Sequence, residues 1–340
     1  MKQRLNYLDI TKGFSIALVV LGHIIPPGNT SLRNWIYSFH IPIFFIISGY
    51  LINLSKDVIP IPKFIQKKFN ALIIPYISFA LINYFFIMYN LYIKQELDQK
   101  TLIIYFIYII KFCGRSAIWF LPCLFISEVL FKLLTHKVSN NHLRLIIIFS
   151  LFIIPFFIKA DSDTLLLVLL RSFTALGFIA IGNLLYKPIT NINSSFFTLL
   201  ILFITNVFLA LFNGPVDLFA LKFNNIIIYI INSIIGSLAL ILLSKKVSFS
   251  VFFKYIGKNS LIIMGTHILT INLVNTFLID TLSLNLAYTY PSRYHALLFS
   301  IVLLIEVPII FVFNNYLNFT LGKTNLLNTL NHHKKQATNQ

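Results

Sequence analysis

The sequence predicts an all-α integral membrane protein, with about ten transmembrane helices in one bundle and both termini in the cytoplasm. Its 340 residues are 58% hydrophobic and only 11% charged, against about 45–50% and about 25% in soluble domains. The mean hydropathy is +0.84. A soluble fold of this size has no core large enough for so much apolar side chain. The composition therefore excludes a cytosolic enzyme, a nucleic-acid-binding domain and a disordered protein.

Apolar runs long enough to cross a bilayer, which takes about 20 residues, recur along the chain. We place them at residues 10–25, 35–54, 69–89, 116–134, 143–158, 165–186, 196–212, 226–244, 260–279 and 295–319. A further apolar run at 101–112 is short, and we expect a re-entrant or interfacial helix there. With no linker and no internal repeat, residues 1–322 are predicted to form one transmembrane domain, followed by a polar cytoplasmic tail at 323–340.

The basic residues predict the orientation of the bundle. Eighteen of the 27 lysines and arginines lie on the side of the two termini, and eight lie on the other side. Because cytoplasmic loops carry an excess of Lys and Arg, this bias places both termini inside. It also accounts for the net charge of +17 without a nucleic-acid partner.

Six ionisable residues inside the predicted spans are candidates for function, because such side chains are costly there and usually face a cavity or a partner. A structural interpretation stays open for each of them. Histidines can make interhelical hydrogen bonds, and Arg171 can form a buried pair with Glu128 or Glu306 that fixes helix packing. The six residues are His23, His40, Glu128, Arg171, His267 and Glu306.

The first span carries a polar stripe. Lys12 and His23 are 11 residues apart, which on an α-helix is three turns plus about 20°, so they share one face. Their axial separation of about 16 Å predicts Lys12 at the cytoplasmic mouth and His23 near mid-membrane. Asp9, three residues before Lys12, can share that face. A cation at the mouth suits a phosphate-bearing ligand, and a deeper histidine suits a general base.

Two further motifs open or fill later spans. The second span contains FHIPIFFIISGYLI at residues 39–52. Its Ser48 and Gly49 allow close backbone approach, so they serve packing as readily as chemistry. The fourth span opens with WFLPCLF at residues 119–125, and its Trp119 also suits an interfacial aromatic belt.

The ninth span opens within YIGKNSLIIMGTH at residues 255–267. Asn259 and Ser260 predict a helix cap, and His267 lies about 10 Å further along the helix. The two cysteines of the chain show neither a CxxC motif nor Cys/His zinc spacing, so we predict no metal site.

These motifs together resemble the acyltransferase 3 family of bacterial integral-membrane acyltransferases, and in particular its fucose 4-O-acetylase-like subgroup. The resemblance covers most of the chain. It is carried, in the order of the family, by LDITKGFSIALVVLGH at residues 8–23, FHIPIFFIISGYL at 39–51, WFLPCLF and IGKNSLIIMGTH.

The resemblance implies transfer of an acyl group, usually acetyl from acetyl-CoA, to sugars of cell-surface polysaccharides or their lipid-linked precursors. It implies a location in the bacterial cytoplasmic membrane and no permanently bound cofactor. The family motif of a basic residue, ten residues and a histidine falls on Lys12 and His23. His23 is thus the expected catalytic base, and Lys12, with Asp9 beside it, is expected on the CoA side.

A basic segment before Pro75 resembles the paired-arginine segment of the family. Lys68 stands at one of the two positions, whereas Ala71 stands at the other and departs from the pattern. Lys68 is therefore one candidate for binding the phosphates of the donor, and Lys63 or Lys67 can compensate for the missing cation.

Acyl transfer to a hydroxyl also needs a donor for the developing oxyanion. Tyr50, Asn259 and His267 are the candidates, and direct transfer and an acyl-histidine intermediate both stay open. Ser48, Gly49 and Tyr50 match the small-residue signature that the acyltransferase 3 family carries in its second span. The candidates for substrate or structural sites are Ser48, Tyr50, Trp119, Glu128, Arg171, Asn259, His267 and Glu306.

Other functions remain open at this point. A transporter or flippase of a polysaccharide precursor or acyl donor also places charges inside the membrane, although such folds often show two related halves. A polysaccharide polymerase would favour a large, polar exterior loop, and a membrane scaffold would leave the Lys12–His23 stripe unexplained. The sequence leaves open the acceptor sugar, the acyl chain and the oligomeric state.

Overall fold

The computed structural model describes residues 5–28, 30–54, 59–114, 116–161, 164–192, 195–281 and 291–323. Among these residues the regular structure is helical, apart from an isolated bridge between Asp217 and Lys222. The predicted all-α class is confirmed. Beyond Lys323, the predicted polar tail lies outside the described residues.

We number the α-helices in chain order. They are α1 (Asn6–Ile24), α2 (Ser31–Tyr37), α3 (Pro42–Leu54), α4 (Ile61–Lys68), α5 (Ile74–Ile93), α6 (Gln99–Ile110), α7 (Phe120–Lys137), α8 (Asn141–Ile153), α9 (Leu165–Leu184), α10 (Tyr186–Asn191), α11 (Phe196–Asn213), α12 (Ile226–Lys246), α13 (Val251–Lys258), α14 (Ser260–Thr276) and α15 (Pro291–Asn315). A π-helical segment, Phe69–Ile73, joins α4 to α5, and a 3₁₀ turn, Ala117–Trp119, precedes α7.

Nine helical stretches of the described chain are long and apolar enough to cross a membrane. They make the protein a multi-pass membrane protein, with one span fewer than the ten we predict from sequence. The predicted span at 143–158 coincides with an apolar helix, Asn141–Phe156. This helix is as long as the predicted run but remains below the length of about 20 residues that a span needs. Its regular α-helical part ends at Ile153, before a 3₁₀ turn that contains Pro155, a residue without the N–H that an α-helix needs.

The short apolar run at 101–112 coincides with α6, which has only 12 residues. It is therefore too short to span a membrane, as expected. The side of the membrane on which the termini lie stays a prediction from the distribution of basic residues.

Close helix crossings at glycine hold the centre of the bundle together. On α3, a Cβ atom at Gly49 would overlap the carbonyl of Ile179 on α9, and one at Gly182 would overlap the carbonyl of Ile46. The same reciprocal contact joins α1 to α13 through Gly13 and Gly257. In a bilayer, where helices gain little from hydrophobic association, such backbone proximity supplies much of the packing energy.

The crossing of α3 and α9 predicts a specific sensitivity. Gly49→Val should cost about 1–3 kcal/mol or more, because the added side chain collides with backbone that cannot move independently. Ala296→Val, at an exposed position of α15, is the matched control. The midpoint of thermal unfolding in detergent should fall for Gly49→Val alone, and equal midpoints would refute the packing role.

Candidate functional site

A cavity of about 610 Å³ opens at one end of the bundle. Four lysines line it, and we refer to it as the lysine cavity: Lys12, Lys67, Lys68 and Lys132. Glu128 is the acidic residue among its lining side chains. The cavity therefore carries an excess of positive charge, which suits an anionic ligand.

An ion pair lies in the wall of the lysine cavity. Lys68 Nζ is 2.7 Å from Glu128 Oε2, and the Glu128 side chain is only 3% exposed. The hydroxyl of Ser48 donates a hydrogen bond to Glu128 Oε1. Lys68 and Ser48, from α4 and α3, thus converge on one carboxylate of α7 and join three helices at the cavity.

A second cavity, of about 250 Å³, contains the predicted base. The His23 side chain is exposed to it, and we call it the histidine cavity. Aromatic, basic, acidic and hydroxyl side chains share its wall. Besides His23, it is lined by Arg33, Tyr37, His40, Ile41, Ser116, Ala117, Trp119, Asp217, Leu218 and Phe219.

The two cavities lie at opposite ends of the bundle. Three segments cross from one cavity to the other: α1, residues 41–48 and residues 119–128. From its N-terminal end, α1 leads from the lysine cavity to the histidine cavity, whereas the other two segments lead the opposite way. In each segment, positions that line one cavity are followed along the chain by positions that line the other. Representative pairs, lysine cavity first, are Lys12 and His23, Ser48 and Ile41, and Glu128 and Trp119.

Aromatic side chains lie between the two cavities. Phe44 and Phe120 line the lysine cavity, and their ring centroids are 5.7 Å apart. Trp119, next to Phe120, already lines the histidine cavity. A thin aromatic layer thus separates a basic compartment from the one that holds His23.

His23 is the penultimate residue of α1, close to the end that the sequence predicts for this helix. Arg33 fixes the chain around it, because its Nη1 donates to the carbonyls of Gly22 and Ile25 at 2.9 and 2.8 Å. The guanidinium also lies over the Tyr37 ring, 4.0 Å from the centroid. A positive charge therefore shares the cavity with the imidazole.

Two other histidines lie near the same end of the bundle. His40 lines the histidine cavity, and its Nδ1 is 2.9 Å from the carbonyl of Ile36. His267 is fully buried, with its ring centroid 5.2 Å from that of His23. The structure thus brings together His23 and His267, which lie 244 positions apart in the chain.

Arg171 packs against two of the aromatic rings that line the histidine cavity, those of Trp119 and Phe219. Trp119 is buried against Phe219, with ring centroids 5.6 Å apart, so it does not sit in a lipid-facing aromatic belt. Arg171 Nε donates to the carbonyl of Phe219 at 2.7 Å, and its guanidinium lies 4.0 Å from that ring. The arginine thereby holds the loop that carries Asp217 against the cavity.

A buried pair of Arg171 with Glu128 or Glu306 is the structural alternative that the sequence leaves open, but both carboxylates have other partners. Glu128 pairs with Lys68. Glu306, fully buried on α15, accepts hydrogen bonds from the hydroxyls of Thr266 and Thr270 at 2.7 and 2.8 Å. Sequence alone cannot select among several buried partners, and here hydroxyls satisfy the Glu306 carboxyl.

Six predicted site residues line neither cavity: Arg171, His267 and Glu306, described above, and Asp9, Tyr50 and Asn259. Asp9 is buried, and its carbonyl packs against Gly257 of α13. Tyr50 is buried and shares a 2.6 Å hydrogen bond with the hydroxyl of Tyr7. Asn259 makes no side-chain cap, contrary to the expected helix cap. Its amide nitrogen instead donates a hydrogen bond to the carbonyl of Tyr255, and its amide oxygen accepts one from the side chain of Asn314.

Several lining residues were not among the predicted site residues. Lys132 lies four residues after Glu128 on α7, and that spacing would have placed both on one face. In the histidine cavity the additional residues are Arg33, Tyr37, Ser116 and Asp217. They come from a short helix and from connecting segments, where no helical periodicity marks an inward face.

Among the described residues, no group of three or more His, Cys, Asp or Glu could hold a metal ion.

These features define a helical membrane protein with a basic cavity and a histidine-containing cavity at opposite ends of its bundle. A family model described as an acyltransferase domain, that of the acyltransferase 3 family, matches residues 5–321. The chain therefore belongs to this family and is a membrane acyltransferase. No curated protein and no solved structure matches it.

The Lys68–Glu128 pair predicts a non-additive effect on stability. Lys68→Met should destabilise the fold by about 2–3 kcal/mol, somewhat less than a fully buried pair, because Lys68 is 26% exposed. In Lys68→Met/Glu128→Gln, most of that loss should be recovered, since no uncompensated carboxylate remains. Thermal unfolding of the single and double variants measures this coupling, and additive losses would show that the pair is not coupled.

Proposed function

We propose that this protein is a membrane-embedded O-acyltransferase that moves an acetyl group from cytoplasmic acetyl-CoA to a hydroxyl of a cell-surface glycan or its lipid-linked precursor. His23 acts as the general base. One observation carries the proposal: the basic cavity and the histidine cavity lie at opposite ends of one bundle, with an aromatic layer between them. The proposed location is the cytoplasmic membrane of a bacterium.

The lysine cavity is the proposed entrance for the donor. Acetyl-CoA carries several phosphate charges on its nucleotide and a long, largely uncharged arm that ends in the thioester. Lys12, Lys67 and Lys132 line the cavity together with the Lys68–Glu128 pair, so three further cations face the donor. The volume of about 610 Å³ lies in the usual range for small-molecule sites. The distribution of basic residues predicts that this end faces the cytoplasm.

The histidine cavity is the proposed site of the acceptor. Trp119, Tyr37 and Phe219 supply flat apolar faces, while Asp217 and Ser116 supply groups that bond hydroxyls. A sugar combines both needs, because its ring has apolar C–H faces and a rim of hydroxyls. This combination favours a glycan acceptor over a purely apolar one.

The chemistry needs one base and one anion stabiliser. His23 accepts the proton of the acceptor hydroxyl as its oxygen attacks the carbonyl carbon of the thioester. The C–S bond then breaks, and the proton passes from His23 to the sulfur of the departing CoA. The products are an acetyl ester and free CoA thiol, so atoms and charges balance.

Arg33 is the proposed stabiliser of the oxyanion. It lines the same cavity as His23, and its backbone contacts hold the guanidinium in place before the reaction. Tyr50 and Asn259, the candidates from sequence, line neither cavity. A fixed cation needs no reorganisation when charge develops, which is what lowers the barrier.

A transporter or flippase of a polysaccharide precursor is the alternative, since cavities at both ends of a bundle also suit alternating access. Such a protein would move its cargo unchanged. A base at His23 would then serve no purpose, and surface glycans would keep their acetyl groups when His23 is replaced.

His23→Ala should abolish acetylation of the surface glycan, because it removes the proposed base for the acceptor hydroxyl. The loss should exceed about a hundredfold. His142→Ala, at an exposed position of α8, is the control. NMR of surface glycan from cells with equal amounts of inserted protein measures the outcome, and acetyl signals that persist in His23→Ala would count against the base.

Lys12→Ala should raise the KM for acetyl-CoA about tenfold, as expected for one lost charge-assisted contact. Apparent affinity for the acceptor should stay unchanged. Lys137→Ala removes an exposed lysine of the last turn of α7 and serves as the control. Incorporation of labelled acetyl groups by isolated membranes, over a range of acetyl-CoA concentrations, gives both quantities. An unchanged dependence on acetyl-CoA in Lys12→Ala would show that Lys12 does not bind the donor.

A further inference from the structure

His267 makes one polar contact that defines the state of its ring. Its Nδ1 is 2.6 Å from the backbone carbonyl of Ile263, one turn earlier on α14. A carbonyl oxygen can only accept, so Nδ1 carries the proton of that hydrogen bond. In the neutral ring, the lone pair then resides on Nε2.

That second nitrogen has an unusual environment. His267 Nε2 is buried and has no hydrogen-bond partner among the described residues. The residue as a whole has no exposed surface. A buried acceptor without a donor is costly, and such atoms in native folds often mark a function.

His23 is the polar ring next to this unused acceptor. The two ring centroids are 5.2 Å apart, with a tilt of 48° between the ring planes. At this separation an N–H of one imidazole can reach a nitrogen of the other once the rings are aligned, and a rotation of His23 supplies that alignment. Because His23 is exposed to its cavity, it has the room for such a rotation that the fully packed His267 lacks.

We infer that His267 is a positioning residue whose Nε2 accepts an N–H of His23 in the reacting state. This inference rests on the proposed function of His23. The bond would leave the other nitrogen of His23 as a free base turned toward the acceptor hydroxyl. It would also stabilise the imidazolium that forms when His23 takes the proton. A neutral imidazole thus fills the orienting role that a carboxylate fills in other base-containing sites.

The same geometry assigns His267 a role different from oxyanion donor, the one considered from sequence. With its proton on Nδ1 and engaged by Ile263, the neutral ring has no N–H free to stabilise an anion. His267 therefore acts as an acceptor toward His23, and Arg33 remains the donor toward the substrate.

Two replacements separate positioning from packing. His267→Asn keeps an N–H near the carbonyl of Ile263 but removes the acceptor at Nε2, whereas His267→Gln places an amide oxygen near that point. We expect acetyl transfer to fall about a hundredfold in His267→Asn, with the KM for acetyl-CoA unchanged, and to recover substantially in His267→Gln. Ser237→Ala is the control, since it removes a buried hydrogen bond to a carbonyl four residues earlier.

A spectroscopic readout makes the test independent of turnover. In the full chain in nanodiscs with ¹⁵N-labelled histidine, His23 should show one dominant tautomer in the presence of acetyl-CoA. Both tautomers should appear in His267→Asn. Wild-type activity in His267→Asn, or mixed tautomers of His23 in the wild type, would overturn the role of His267. Full activity in His23→Ala would instead refute the proposed base, so the two failures are distinguishable.

Discussion

A hydrocarbon bilayer cannot solvate polar groups, and this constraint governs the arrangement of every ionisable side chain in the bundle. Glu128 is satisfied by Lys68 and Ser48, and Glu306 by two threonine hydroxyls. Arg171 is held by a backbone carbonyl and two aromatic faces. Both cavities offer polar groups to a substrate: Lys12, Lys67 and Lys132 line one, and His23, Arg33 and Asp217 line the other.

The separation of the cavities has a consequence for acyl transfer. A highly charged donor and a hydroxylated acceptor need different surroundings, and each cavity offers one of them. In the proposed reaction, the aromatic layer of Phe44 and Phe120 separates the charged part of the donor from its reacting thioester. It also keeps bulk water from the reacting thioester, which favours transfer over hydrolysis. In this proposal, the donor stays on one side of the layer while its acyl group is used on the other.

Helical periodicity accounts for what the sequence predicts well. Long apolar runs mark nine spans, and the spacing of Lys12 and His23 places them along a single helix that reaches both cavities. Periodicity identifies the face of a helix but not the neighbour packed against it. For that reason the partners of Arg171, Glu128 and Glu306 could not be predicted, and the proximity of His23 and His267 became visible only in the fold.

Short segments are the other source of error. Arg33 lies in a seven-residue helix, and Asp217 lies in a tight turn, so neither shows a pattern that points inward. Pro155 ends the regular part of α8 by a local effect that a hydropathy average conceals.

The most direct test of this account is a cryo-electron microscopy structure of the full chain in a nanodisc with an unreactive thioether analogue of acetyl-CoA. The account predicts the nucleotide phosphates among Lys12, Lys67 and Lys132, with the acyl end passing the aromatic layer toward His23. Phosphates bound on the His23 side, or an acyl end that remains in the lysine cavity, would contradict it.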